Sequence, residues 1–279
     1  MKKAIFIFAV LLSVCNSVFG QFFVNDTMLD TLFNKRVKSL DEFMARFNGD
    51  ENFSEISPDD PNVREKNILA LFEKDSLLAH QEKFGSQNEL FSSITDFINN
   101  VANNNRRLDL EKDSMIFAVA DMKVKYAAKD KDIKIILTYE TVGNEIYGWK
   151  LAGVSGLVES GIIDTSTVRI FRPVDNEMNF SALVEIVNSP KNQITQYRSF
   201  SVCVDQLSYF MALAALNKIS ITRCTEVSYH ILSIEGYAFV VSKFNKIDKN
   251  NGWLISKFQK LDNAGKDEYI NKLLGKNEN

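Results

Sequence analysis

The sequence predicts an α+β protein of two tandem units, each with helices packed on a curved antiparallel sheet. Three observations carry this expectation. Residues 131–156 read as a β-hairpin whose second strand holds Gly148-Trp149, and a second version of the same hairpin holds Gly252-Trp253. Laid over one another, 132–139 meets 237–244 at an offset of 105 residues, and 147–151 meets 251–255 at an offset of 104. The lost residue falls in the loop, where hairpins tolerate it. In 115–127 and 219–232 apolar residues recur with a period of two, which is the pattern of a strand with one buried face. The same offset of 105 lays Met122 on Val227 and Val124 on Tyr229, buried face on buried face, with Arg223 and Thr225 as exceptions. A period near a hundred residues is domain-sized, so the pattern reads as a tandem duplication and not as a solenoid.

The elements follow in order. Met28, Leu29, Leu32 and Phe33 suggest a first helical piece over 27–37. Ser39 and Glu42 form a capping box, Leu40, Phe43, Met44 and Phe47 make the buried stripe behind it, and Gly49 ends that helix. Pro61 suits the first turn of the next helix, whose apolar side is Ile68, Leu69, Phe72 and Leu77. Residues 88–101 give the clearest helix, because Leu90, Phe91, Ile94, Phe97, Ile98 and Val101 keep the 3.6 period without a break. Asn103 to Arg107 stop it, and strands near 115–127, 132–141 and 146–154 follow. Residues 165–171 read as a short extra strand, and Arg172-Pro173 as the turn into the second unit. Asn179 is placed to cap a helix over 180–187. Asp205 is placed to cap another, with Leu207, Phe210, Met211, Ala214 and Leu216 facing inward. Strands near 219–233, 236–246 and 252–259 and a terminal helix over 260–274 complete the chain.

The 279 residues, 45% of them hydrophobic and 25% charged, suffice for two domains of ordinary size. Lys2-Lys3, the apolar run 4–14 and the small residues before Gln21 have the zones of a secretory signal with cleavage after Gly20. Cys15 leaves lipidation as an alternative, although Val14 stands where a lipobox carries Gly or Ala. The expected organisation is therefore a signal peptide over 1–20 and units over 21–160 and 161–279, in a secreted or periplasmic protein. No later segment is long and apolar enough for a transmembrane helix. Loss of Lys2 and Lys3 moves the formal charge from −3 to −5, which argues against nucleic acid as a partner. Cys203 and Cys224 remain, either as one disulfide or as two buried thiols.

Helices followed by a curved antiparallel meander, with Tyr147-Gly148-Trp149-Lys150-Leu151 on a late strand, resemble the nuclear transport factor 2-like superfamily, the cystatin-like α+β cone. The resemblance covers about 26–155 and 176–274. The runs 37–49 and 172–180 are also similar to stretches in secreted proteins of Bacteroides-type bacteria, a group that supplies no activity to carry over. The cone superfamily includes isomerase-like and dehydratase-like enzymes beside members that only bind. The resemblance implies that an enzyme of this kind would work inside the cone, with Asp or His as base and Tyr or an acid polarising a carbonyl.

Candidates for such chemistry are few. Glu226, Ser228 and His230 share one face of a strand, opposite Val227, Tyr229 and Ile231, and alternation of this kind most simply gives a solvent-facing or interface-facing side. The matching face of the first unit holds Asp121, Lys123 and Lys125, which read as solvated. Tyr126, Tyr139 and Tyr229 are phenols that can point into a cone, and the simpler expectation is packing with one satisfied hydroxyl. Trp149 and Trp253 read as core anchors, and His80 as a solvated side chain at a helix end. There is no Gly-rich phosphate loop, no zinc spacing of paired cysteines, no His-Glu-x-x-His and no Gly-x-Ser-x-Gly. No cofactor or metal is implied. The expected function is binding or interaction with a small molecule or a protein. The alternative is a small-molecule isomerase or dehydratase using one cone, with Glu226, His230, Tyr229, Asp121 and Tyr139 as its candidates. A third reading has the polar faces of 115–127 and 219–232 packing on each other or on a partner, including a homodimer through sheet faces.

Overall fold

The structure is a computed structural model that describes residues 36–54, 56–79, 87–141, 146–163, 187–188, 205–245 and 251–276. It is α+β. The six long strands are β2 (Ile116–Tyr126), β3 (Lys129–Thr141), β4 (Tyr147–Ser155), β5 (Ile219–Ile231), β6 (Tyr237–Phe244) and β7 (Asn251–Lys260), each within a few residues of its predicted span. They form an antiparallel sheet, and a two-residue β1 (Arg36–Val37) joins it in parallel with β7, so the strand order is β1-β7-β6-β5-β2-β3-β4. The expected strand over 165–171, the expected helix over 180–187 up to residue 186, the apolar run 4–14 and His80 lie outside the described residues, as do 27–35; Arg36 and Val37, expected to end a helix, are strand.

Two compact units divide the chain, and neither is a continuous half: Met1–Asp109 groups with Val241–Lys260, and Leu110–Val240 groups with Leu261–Asn279.

In the first unit α1 (Leu40–Asn48) begins as its sequence dictates. Ser39 Oγ accepts the Glu42 N–H at 3.1 Å, while the Glu42 carboxylate accepts from Lys38 at 2.6 Å, one residue earlier than in a strict capping box. Phe43 and Phe47 are buried and Gly49 closes the helix at φ 79. Next, α2 (Val63–Ala70) starts after Asn62, so Pro61 precedes the cap and does not occupy the first turn. The reason is local: Asn62 sits at φ −113, ψ 32, outside the helical region, with its N–H held by Asp60 Oδ1 at 2.9 Å. After α3 (Lys74–Ala79), α4 (Gln87–Asn103) buries Leu90, Ile94, Phe97, Ile98 and Val101. Phe97 and Phe72 pack edge-on against Phe258 of β7, with ring centroids 5.2 and 5.8 Å apart, which is the favoured geometry for aromatic pairs. The main chain reinforces this contact, since Ile255 N–H donates to Leu71 O at 2.8 Å and Glu73 N–H to Ile255 O at 2.9 Å.

β7 also receives β1, with Val37 opposite Gly252. Gly252 has φ 105, and a Cβ there would lie 1.8 Å from Val37 O, so only glycine fits.

In the second unit β2 is the hub, paired with β3 on one side and β5 on the other. Its turn into β3 uses Ala127 and Ala128, both at positive φ, the two-residue turn whose twist matches a hairpin. The β2–β5 ladder shifts register twice, between Asp121 and Met122 and between Lys123 and Val124. There the Thr225 and Thr222 hydroxyls donate to Asp121 O and Lys123 O, each at 3.0 Å, which keeps carbonyls at the irregularities bonded. Asp121 stands opposite Glu226, the residue 105 positions later. The polar faces of 115–127 and 219–232, expected as a face-to-face interface, are instead neighbours in one ladder.

Each face of this sheet has a helical cover. On one face α5 (Gln206–Ala215), capped by Asp205 accepting from Leu207 at 3.1 Å, packs Leu207, Phe210 and Leu213 on Val124, Ile133, Ile135 and Val154. Met211, Ala214 and Leu216, expected inward, are exposed. The helix is apolar nearly all round, so its period could not choose a face. On the other face α6 (Asn263–Leu273) lays Tyr269, Ile270 and Leu273 on Phe117, Val119 and Ile136. The buried Lys266 fastens α6 to the β5–β6 turn, its ammonium donating to Leu232 O at 2.6 Å and Ile234 O at 2.7 Å. Gln206 binds Leu157 N–H at 2.9 Å and Gly275 O at 3.4 Å.

Candidate functional site

The sheet separates the candidate residues. Strand period places Asp121, Glu226, Ser228 and His230 on the face that α6 covers, and Tyr139 and Tyr229 on the opposite face.

On the α6 face, Asp121 is half-buried and paired with Lys134 at 2.5 Å, directly across the β2–β3 ladder, while Glu226 is exposed. Ser228 is buried and His230 half-buried, so this end of the strand does not face solvent, as its alternation had suggested; α6 sits on it. His230 Nδ1 and Tyr269 Oη share a hydrogen bond of 2.6 Å, and Nε2 lies 3.2 Å from Ser228 Oγ. Burial pushes the Tyr269 phenol up to about 12, so at neutral pH it keeps its proton. Tyr269 was not visible as a partner in the sequence, because its helix carries only a weak apolar pattern and nothing fixed the strand it would meet. Chemically the trio is a polar cluster between β5 and α6. A phenol that releases its proton only near pH 12 is a hydrogen-bond donor and a poor acid.

The opposite face is different in kind. β3–β4 register puts Tyr139 opposite Trp149 and Thr141 opposite Tyr147, with Leu137 opposite Leu151 one step along. Tyr229 of β5 lies across the small Ala118, which lets its ring reach Trp149. The four aromatic rings are contiguous: Tyr139 and Tyr147 are nearly parallel at 6.2 Å, Trp149 stands at 69° to Tyr139 at 5.2 Å, and Tyr229 is tilted 40° from Trp149 at 5.9 Å. All four are half-buried and Leu151 is exposed, so the rings form a shelf that the described residues cover only in part. Among the described residues, the side chains that build this part of the face are uncharged, the ion pair of Glu140 and Lys150 belonging to the other side. Trp149 is thus a member of a surface cluster, not the core anchor its recurrence suggested. Tyr147 escaped notice beside it, although period two along β4 places them on one face.

Cys224 is a free, exposed thiol on β5, so the bridged form is not present and neither is a buried thiol there; Cys203 lies outside the described residues. Among the described residues no group of three or more His, Cys, Asp or Glu is placed to hold a metal, and no helix is long and apolar enough to cross a membrane. No protein-family model, curated protein or solved structure matches the chain.

Proposed function

We propose that the chain is a secreted or periplasmic binding protein without catalytic machinery, and that its ligand lies on the shelf of Tyr139, Tyr147, Trp149 and Tyr229. The observation that carries this reading is the contiguous cluster of four half-buried aromatic rings on one sheet face. Tyrosine and tryptophan give large contact area with a polar edge and little rotamer entropy to lose, which is why they dominate binding hot spots. An isomerase-type reaction needs a base and a phenol facing one enclosed space. Here the sheet lies between His230 and both Tyr139 and Tyr229, and the phenol that reaches His230 is the half-buried Tyr269.

The same proposal includes two nuclear transport factor 2-like repeats. Supporting it, β2-β3-β4 and β5-β6-β7 run outward in mirrored order from the β2–β5 pair, where Asp121 meets its counterpart Glu226. Signal cleavage after Gly20 belongs to it as well, and N-terminal sequencing of the exported protein would begin at Gln21 if that is right and fail on an acylated Cys15 if it is not.

The test of the site is a fragment screen by NMR on residues 21–279, following the Trp149 indole N–H. Hits concentrated at Trp149 and its ring neighbours support the shelf. Hits that gather elsewhere and leave this resonance unmoved reject it.

A further inference from the structure

We propose that the shelf takes an organic cation of the quaternary-ammonium class. This rests on the binding reading above and names its ligand chemistry. An aromatic face carries negative π density, and a cation within about 6 Å of the ring centroid is attracted to it, most strongly over Trp and then Tyr. Three tyrosines and a tryptophan stand contiguous here, and their planes are not coplanar: Trp149 is turned 69° from Tyr139 and 40° from Tyr229. Rings turned in this way do not make one flat platform, although Tyr139 and Tyr147 are nearly parallel to each other. Among the described residues, the side chains of the shelf supply neither a carboxylate for a small hydrated cation nor a basic group for an anion. A bulky ammonium, weakly hydrated and with apolar methyl groups, matches both properties of the surface, its negative ring faces and its aliphatic floor of Leu137 and Leu151. The chain carries formal charge −3, which favours approach of a cation over an anion. The protein also uses this chemistry internally, since the Arg46 guanidinium sits 4.1 Å over the Phe53 ring.

The probe is choline, compared with 3,3-dimethylbutan-1-ol, its uncharged carbon isostere, each titrated into residues 21–279 while the Trp149 indole N–H is followed by NMR. Trp253→Phe removes the second indole signal and settles the assignment. Choline should shift the Trp149 resonance saturably at millimolar concentration and bind about tenfold more tightly than the isostere. Trp149→Leu, which keeps apolar area and loses the ring, should weaken choline about tenfold and the isostere little, with circular dichroism confirming the fold. Equal binding of the two probes overturns the cation class while leaving the shelf as an apolar binding site. No response to choline at Trp149 overturns the cation class outright, and the fragment screen then decides separately whether the shelf binds anything.

Discussion

Gly148-Trp149 and Gly252-Trp253 are matching dipeptides at matching points of two hairpins, and the molecule treats them differently. Gly252 sits at φ 105 with the Val37 carbonyl where a Cβ would be, because β1 lies along β7 at that point. Among the described residues, no heavy atom lies within 4 Å of the corresponding Cβ position at Gly148. In β4 the crowded glycine is Gly153, whose Cβ would fall 3.1 Å from Leu274 Cα and 3.2 Å from Leu274 O. The residue 104 positions later is the exposed Lys257. A repeat in sequence therefore specifies strand, register and turn, while the neighbours that dock on each strand decide which of its positions is constrained.

That difference is open to direct attack. Gly252→Ala should be the costliest change, destabilising by at least about 3 kcal/mol in urea unfolding, since it combines left-handed strain with a collision against main chain. A loss below about 1 kcal/mol would mean that β1 does not dock at Gly252. Gly153→Ala should cost about 1–2 kcal/mol, because Leu274 and the end of α6 must give way by a few tenths of an ångström; equality with Gly148→Ala would remove α6 from β4.

Tyr269→Phe should cost about 1 kcal/mol at neutral pH through the lost bond to His230. It also carries a pH signature. The folded phenol titrates at about 12 against an ordinary 10.0, so the unfolded chain loses this proton first. The stabilisation is complete below pH 10 and drains away as pH rises through about 12, a total loss of roughly 3 kcal/mol that the Phe variant should lack. The smallest effect belongs to Gly148→Ala, expected within about 0.5 kcal/mol of the parent, and a large loss there would place an undetected neighbour on the first hairpin.

What could be read in advance follows from the range of each signal. The six long strands were legible because alternation is local and was seen twice, as in Met122 against Val227. Ser39 and Gly49 marked α1 because both caps act through neighbouring amides. Three things depended on distant partners and were not legible. β1 is two residues long and is defined by its pairing with Asn251 and Gly252 of β7. Ser228 and His230 look solvent-facing until α6 is set on them. Leu216, 67% exposed, satisfies an apolar pattern without being inside, because α5 offers apolar residues on every side. The aromatic shelf was half legible: Tyr139, Trp149 and Tyr229 stood out singly, but their meeting needs the β2–β5 pairing and the gap left by Ala118.

The composition of the first unit bears on the order of synthesis. Its helices emerge from the ribosome first, yet Phe258, Ile255 and Gly252, on which Phe97, Leu71 and Val37 close, arrive only after residues 110–240 have been made. Until then α1 and α4 hold phenylalanine faces with no strand to bury them. Such a chain finishes its N-terminal body last, with a long closure to make, and a nascent chain stopped before residue 241 should bind hydrophobic-surface chaperones that the completed protein ignores.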